Sequence, residues 1–339
     1  MRAVVMNGTG QVAVIDRERP TIVEPTDAVI EIAAACICGS DLWPYRGIDE
    51  VTEPRPMGHE YVGTVVELGA DVTGLEVGDF VVGSFCISDN TCSICESGYP
   101  SRCANGGFVG EAQAEFLRVP QAGGTLVKVP GGRPEDPEII ASLLAASDVL
   151  GTGWYGAVAA EAGPGKTIVV VGDGAVGLSA ILAAKELGAE RVIAMSRNPA
   201  RQALAREFGA TDIIEERGDE GVAKVRELTG GIGADGVVEA VGTEEAMMQA
   251  IGCCRPGGNV GYVGVPHFKL DGGAVFFAQV RLFGGPAPVR AYLPDLIERI
   301  VSGKIHPGKV FDLRIPLEKA AEGYAAMDER RAIKVLLQP

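Results

Sequence analysis

The chain has 339 residues, 47% of them apolar and 22% charged, and its 30 basic and 45 acidic side chains leave a formal charge of −15. Apolar content this high argues against a disordered chain and suits about two domains at roughly 150 residues each. The acidic balance and the lack of a basic run argue against nucleic acid and anionic lipid as partners, since both are held by clustered Lys and Arg. No purely apolar run of about 18 residues occurs, so no membrane span is expected. Met1-Arg-Ala-Val-Val-Met-Asn-Gly8 reads directly into a strand rather than a secretory leader, which makes a cytoplasmic protein the expectation. In a reducing compartment, the eight Cys suggest metal before disulfide.

The first 130 or so residues read as short strands divided by turns. Ala28-Val-Ile-Glu-Ile-Ala33, Tyr61 to Leu68 and Phe80 to Val82 have β composition, with Gly69-Ala-Asp-Val and Gly78-Asp79 as turn signals. This spacing suggests a barrel or sandwich. Two metal-type clusters lie within it. Cys38-Gly-Ser-Asp41 is followed by Gly58-His59-Glu60, and thiolate and imidazole are favoured zinc ligands. Cys38 and His59 give two of the three protein ligands that a catalytic zinc takes. Cys36 is a rival ligand, although core packing suits it better. The second cluster is Cys92-x2-Cys95-x7-Cys103, a closed structural zinc site in composition, whose fourth ligand is Asp89 or its competitor Cys86. Cys253 and Cys254 read as core. Of the three His, only His59 has ligand partners at useful spacing; His267 and His306 read as structural or surface residues.

The pattern changes near residue 150. Thr167-Ile-Val-Val-Val171 is a buried parallel strand in composition, followed by a helix from about 175 to 187 and a strand Arg191-Val-Ile-Ala-Met195. Helices near 199–208 and 222–228 alternate with strands near 213, 236–241, 260–265 and 280–283. Alternation at this spacing predicts an α/β, doubly wound parallel sheet. A helix near 291–302 and a final strand in Arg331-Ala-Ile-Lys-Val-Leu-Leu337 close the chain.

Gly172-Asp-Gly174-Ala175-Val176-Gly177 matches G-x-G-x-x-G between a predicted strand and helix, the setting of a dinucleotide site. The first Gly serves the tight turn, the second the approach of pyrophosphate, and the third close helix–strand packing. An NAD site usually carries an acid at the end of the second strand. Here Ala194-Met195-Ser196-Arg197 has none. Ser196 and Arg197 offer phosphate donors, with Arg201 one turn on, which favours NADP over NAD.

Together these motifs resemble the zinc-dependent alcohol dehydrogenases of the medium-chain dehydrogenase/reductase superfamily. Gly58-His59-Glu60-x2-Gly63-x5-Gly69-x2-Val72 matches the family's zinc signature, and the Asp89–Cys103 loop matches its structural-zinc lobe. The resemblance covers the whole chain, with Thr152-Gly153 at the expected distance before the fingerprint. It implies a GroES-like β-barrel catalytic domain from residues 1–150 and 287–339, with the lobe at about 86–106, and a Rossmann cofactor domain at 151–286. It also implies Asp148 as third catalytic ligand, where many relatives carry Cys or Glu. An Asp there resembles the bacterial NADP-linked secondary alcohol dehydrogenases. Asp41 is then expected behind His59, Ser40 in the proton relay, Thr152 near the nicotinamide and Lys334 at the pyrophosphate. Glu60 is expected either to approach the metal or to form a structural ion pair. Where many relatives place a relay His, this chain has Trp43, an indole that donates only and suits a pocket wall.

The implied activity is interconversion of a small alcohol with an aldehyde or ketone, with zinc and NADP(H). A polyol, sugar or amino-alcohol dehydrogenase of the same superfamily is the alternative, and a non-catalytic nucleotide-binding sensor a remote one. Relatives imply a homo-oligomer, tetramer or dimer, pairing through the β-rich edge near 257–283.

Overall fold

A computed structural model describes residues 1–339. Packing divides the chain into two units, Met1–Asp148 with Pro288–Pro339, and Val149–Ala287.

The first unit is built on a seven-stranded sheet. Its spine is Ala28–Cys36, which pairs antiparallel with Tyr61–Leu68, with Phe116–Val119 near its start and with the C-terminal strand Lys334–Gln338 near its end. The spine is buried along most of its length, which explains an apolar composition without clean alternation. Ala28, Ile30, Tyr61, Val65 and Val81 form the core beneath it. A short antiparallel pair, Cys86–Ile87 with Gly107–Phe108, closes the base of the loop that carries the three clustered thiols. Helix Pro137–Ala146 starts where Asp136 accepts the Glu138 amide, with proline at the first helical position.

The second unit holds a six-stranded, all-parallel sheet in the order Asp212–Ile214, Arg191–Met195, Thr167–Val171, Ala234–Glu239, Cys254–Tyr262, Arg281–Gly284. The order reverses at Thr167–Val171, the doubly wound pattern whose ligands bind outside the strands' carboxyl ends. Val169, Ile193, Val237 and Val260 are fully buried between its helices. Helix Val149–Ala159 lies against helix Ala175–Glu186, where Gly153 permits the approach: a Cβ there would fall 2.5 Å from the Ala180 nitrogen.

Helices Pro137–Ala146, Val149–Ala159, Glu244–Cys253 and Ala320–Asp328 go beyond the sequence reading. Val149–Ala159 is buried almost all round, so no polar face marks its period. No helix is long and apolar enough to cross a membrane.

Candidate functional site

Cys38 directly follows the turn out of the spine strand and precedes a 3-10 turn, Gly39–Asp41. His59 and Glu60 stand just before strand Tyr61–Leu68, the spine's neighbour, and Asp148 sits at the break between two helices. The sheet therefore brings together residues far apart in sequence. One ligand atom from each of Cys38, His59, Glu60 and Asp148 lies within 4.8 Å of all the others. Asp148 Oδ2 is 3.3 Å from His59 Nε2 and 3.7 Å from Cys38 Sγ. Gly58 is required for this placement: its φ is +97°, and a Cβ would lie 2.5 Å from the Gln113 nitrogen.

A polar chain backs the cluster. Asp41 Oδ2 accepts the Cys38 amide at 2.9 Å and the Gln113 side-chain amide at 3.1 Å. Gln113 also donates to the Cys36 carbonyl and accepts the Tyr324 hydroxyl at 3.0 Å. Asp41 Oδ1 stands 3.7 Å from His59 Nδ1, ion-pair range rather than a hydrogen bond, so its firmer hold is on the Cys38 backbone. Gln113 and Tyr324 were invisible to the sequence reading, because neither lies in a motif.

Lys334 stands directly behind Glu60. Its ammonium is 1% exposed, donates to Glu60 Oε1 at 2.7 Å and to the Ile37 carbonyl at 3.1 Å, and lies 5.9 Å from the centre of the Phe311 ring. Burial opposes its charge, yet Glu60 and the neighbouring thiols hold its pKa well above the usual lysine value. Glu60 in turn has an ion-pair partner, while its second oxygen is buried with no hydrogen bond.

The donor chemistry fits a divalent cation. Cys38, Asp148 and Glu60 are three potential anions in one pocket, with a single buried ammonium beside them. Thiolate, imidazole and carboxylate are all zinc donors, and Glu60 pairs one of its two oxygens with Lys334. Burial raises the Cys38 thiol and disfavours charge on His59, but the thiol and Asp148 outweigh that effect and lift the imidazole. Cys36 is buried outside the cluster, and burial pushes its thiol well up. Ser40 and Trp43 are half-buried in the turn after Cys38.

In the lobe, Asp89, Cys92, Cys95 and Cys103 form the second cluster, again with ligand atoms within 4.8 Å. Cys92 Sγ lies 3.5 Å from Cys95 Sγ and 3.9 Å from Cys103 Sγ, and Cys95 Sγ is 3.5 Å from Asp89 Oδ1. Backbone amides of Asp89 and Ala104 point at Cys103 and Cys92. The Ala104 amide leads the contacts that bring the Cys92 thiol down to about 7, within reach of the thiolate a metal needs. Amides of Thr91 and Cys92 and the Asn105 side chain hold the Asp89 carboxyl well below its usual range. Cys86 is buried on the strand pair at the lobe's base, outside the four. Three thiols and a carboxylate fit a closed zinc site.

In the second unit, Gly174 caps helix Ala175–Glu186, and a Cβ on Gly177 would strike the Gly172 carbonyl at 2.0 Å, so only Gly allows the helix this close to the strand end. Ala175 and Val176 form the helix's first turn, and Thr152 is buried in helix Val149–Ala159. Ser196 Oγ donates to Asp173 Oδ2 at 2.8 Å, and Arg201 Nη1 donates to the Asp173 carbonyl and to Oδ1 at 3.1 and 3.4 Å. Arg197 is exposed. Asp173 stood in the fingerprint as an unassigned position, and the register of the two strands was the signal that it meets Ser196.

Comparison with known proteins agrees across the chain. Residues 24–131 match the alcohol dehydrogenase GroES-like domain, and residues 175–301 the zinc-binding dehydrogenase domain. Zinc-type alcohol dehydrogenase B of Aspergillus flavus is 34% identical, over 100% of this chain and 81% of its own. The solved alcohol dehydrogenase TADH from Thermus sp. ATN1 superposes with a TM-score of 0.91 at 36% identity, covering both chains fully. A Sinorhizobium meliloti 1021 protein solved bound to NADP reaches 0.83 at 25% identity, covering 100% of this chain and 99% of its own. With a GroES-like domain, a Rossmann-type parallel sheet and two zinc-type donor clusters, the chain belongs to the zinc-dependent alcohol dehydrogenases of the medium-chain dehydrogenase/reductase superfamily and is an oxidoreductase.

Proposed function

We propose that this enzyme interconverts a small alcohol with its aldehyde or ketone, using NADP(H) in preference to NAD(H). The observation that carries the reading is the convergence of Cys38, His59 and Asp148, with Glu60 tied back to Lys334. These three hold the catalytic zinc in our reading, and Asp89, Cys92, Cys95 and Cys103 hold a structural one. Bound zinc supplies Lewis acidity toward a substrate oxygen. A dinucleotide held at the fingerprint would supply the hydride donor or acceptor. Thiolate and carboxylate together match the ion's charge, while Asp41 fixes the Cys38 backbone. Ser40 Oγ takes the proton from the substrate hydroxyl. Trp43 cannot pass it on, because an indole only donates, and walls the substrate side instead.

The residues 1–150 and 287–339 act as the catalytic domain and 151–286 as the cofactor domain, with the fingerprint receiving pyrophosphate and Thr152 at the nicotinamide side. The NADP preference is supported by the absence of an acid at the end of strand Arg191–Met195 and by the exposed Arg197 after it. A homo-oligomer, dimer or tetramer, is supported by the edge strand Arg281–Gly284 and the exposed Phe276 and Phe277 beside it in sequence.

The test measures NADP⁺ and NAD⁺ reduction with primary, secondary and polyhydroxy alcohols, with and without a zinc chelator. Chelator-sensitive turnover on simple alcohols, faster with NADP⁺, is the expected result. Turnover confined to polyols would move the substrate class, and turnover that a chelator leaves intact would remove the metal from the reaction.

A further inference from the structure

The parallel register pairs Val171 with Met195, so the residues just past those strand ends, Gly172-Asp173 and Ser196-Arg197, are spatial neighbours. Asp173 is 8% exposed, Ser196 2% and Arg201 6%. Asp173 takes the Ser196 hydroxyl on one oxygen and faces the Arg201 guanidinium with the other, while the guanidinium also holds the Asp173 carbonyl. Ser196 Oγ accepts the Asn198 amide at 3.3 Å as well. Two of the three groups that suit a ribose phosphate are therefore already joined to a carboxylate of the chain itself.

We propose that Asp173 sets which nicotinamide dinucleotide this enzyme accepts, its carboxylate holding the partners that a ribose 2′-phosphate would otherwise take. The assignment rests on the reading of this sheet end as the adenosine-ribose side of a dinucleotide site. The acid that NAD sites carry at the end of the second strand is missing here, and Asp173 brings one to the same place from the turn after the first strand. A 2′-hydroxyl finds an acceptor in that carboxylate. A 2′-phosphate finds a like charge, and a guanidinium whose charge is already balanced. Arg197, exposed and outside this set, is the one remaining cation of the three. Asp173 thus restrains the NADP preference that Ser196, Arg197 and Arg201 suggest by residue type.

The experiment titrates the whole protein with NADPH and with NADH and follows the fluorescence of the bound dinucleotide, in the wild type, Asp173→Asn and Arg197→Gln. Asp173→Asn is expected to shift the ratio of the two affinities toward NADPH by about tenfold or more, by removing a like charge beside the phosphate. Asp173→Ser, which keeps a hydroxyl for Ser196, carries the same expectation if the Asn variant does not fold. An unchanged ratio, or an equal weakening of both dinucleotides, overturns the assignment and leaves Asp173 as a brace of the turn. A wild type that binds NADH more tightly, with the shift still present in the variant, refutes the NADP preference and sustains the assignment. Arg197→Gln tests the phosphate contact alone, and its loss of NADPH affinity leaves the role of Asp173 standing. Binding of neither dinucleotide by the wild type sinks the dinucleotide reading and this assignment with it.

Discussion

The two donor clusters of the first unit are alike in size and chemistry but are built in opposite ways. The lobe cluster comes from one loop, residues 89–103, and the loop's own backbone prepares it: amides of Asp89 and Ala104 aim at the thiols, and amides of Thr91 and Cys92 fix the carboxylate. The other cluster joins residues up to 110 positions apart, and only the sheet brings them together. Its support comes from further side chains, with Asp41, Gln113 and Tyr324 behind Cys38 and Lys334 behind Glu60. A local cluster answers to its loop. A cluster assembled by the fold answers to everything packed behind it, so damage to the core is expected to reach one and spare the other.

Removing a thiol from each is the strongest test of that contrast. Cys38→Ser is expected to lose one zinc of two and to lower kcat/KM by roughly a thousandfold or more, because several kcal/mol of charge stabilisation leave with the metal. Cys103→Ser is expected to lose the other zinc, to lower the melting temperature and to retain activity within about tenfold in its folded fraction. Metal content by mass spectrometry and steady-state kinetics read both. Loss of both metals from Cys38→Ser would erase the distinction.

The contrast also explains what could be read before the fold was seen. The lobe was legible from Cys92, Cys95 and Cys103 because its ligands share one loop, and only the choice between Asp89 and Cys86 needed coordinates. Half of the other cluster was legible, since Cys38 and His59 are strong ligand types. Asp148 came from family resemblance alone, as spacing says nothing about a residue 110 positions away. The partner of Lys334 was hidden for the same reason. Its place in the last strand was legible, but Glu60 lies 274 residues earlier, so the ion pair between them was not. The parallel sheet was legible because its central strands, such as Thr167–Val171 and Arg191–Met195, are apolar runs followed by helices, and Asp173 was passed over because its meaning lies in the register between two strands.

Lys334→Met comes next in size. Glu60 is 0% exposed, and the substitution leaves its carboxylate buried beside Cys38 and Asp148 without an ammonium. Breaking one side of such a pair costs about 3–5 kcal/mol, a fall in melting temperature of roughly 10 °C for a unit of this size. Scanning calorimetry reads the loss, and Glu60→Gln combined with Lys334→Met is expected to recover more than half of it. Lobe zinc should stay bound throughout. A double variant no more stable than the single one would mean that the ammonium works through its Ile37 contact rather than through Glu60.

Asp41→Asn keeps the shape and removes the charge behind Cys38 and His59. Groups that orient metal ligands typically contribute about ten- to a hundredfold in metal affinity. Competition with a calibrated chelator should show a loss of that order at one zinc of two. A loss at the lobe zinc would show that the two clusters share support after all.

Tyr324→Phe should have the smallest effect, and it asks how far back the support of the fold-built cluster reaches. The variant removes one hydroxyl from Gln113 Oε1, two side chains away from Cys38, and keeps the ring, whose contact with Tyr45 spans 5.5 Å. Gln113 still donates to Asp41 and to the Cys36 carbonyl, so the amide stays in place. The lost hydrogen bond leaves a buried carbonyl oxygen short of a donor, at a cost of about 1 kcal/mol in stability. Zinc affinity at the Cys38 cluster should change by no more than about threefold, because Asp41 keeps its hold on the Cys38 amide. A loss as large as that of Asp41→Asn would mean that Tyr324, Gln113 and Asp41 act as one unit. The radius over which the core controls this metal would then extend to the helix Ala320–Asp328.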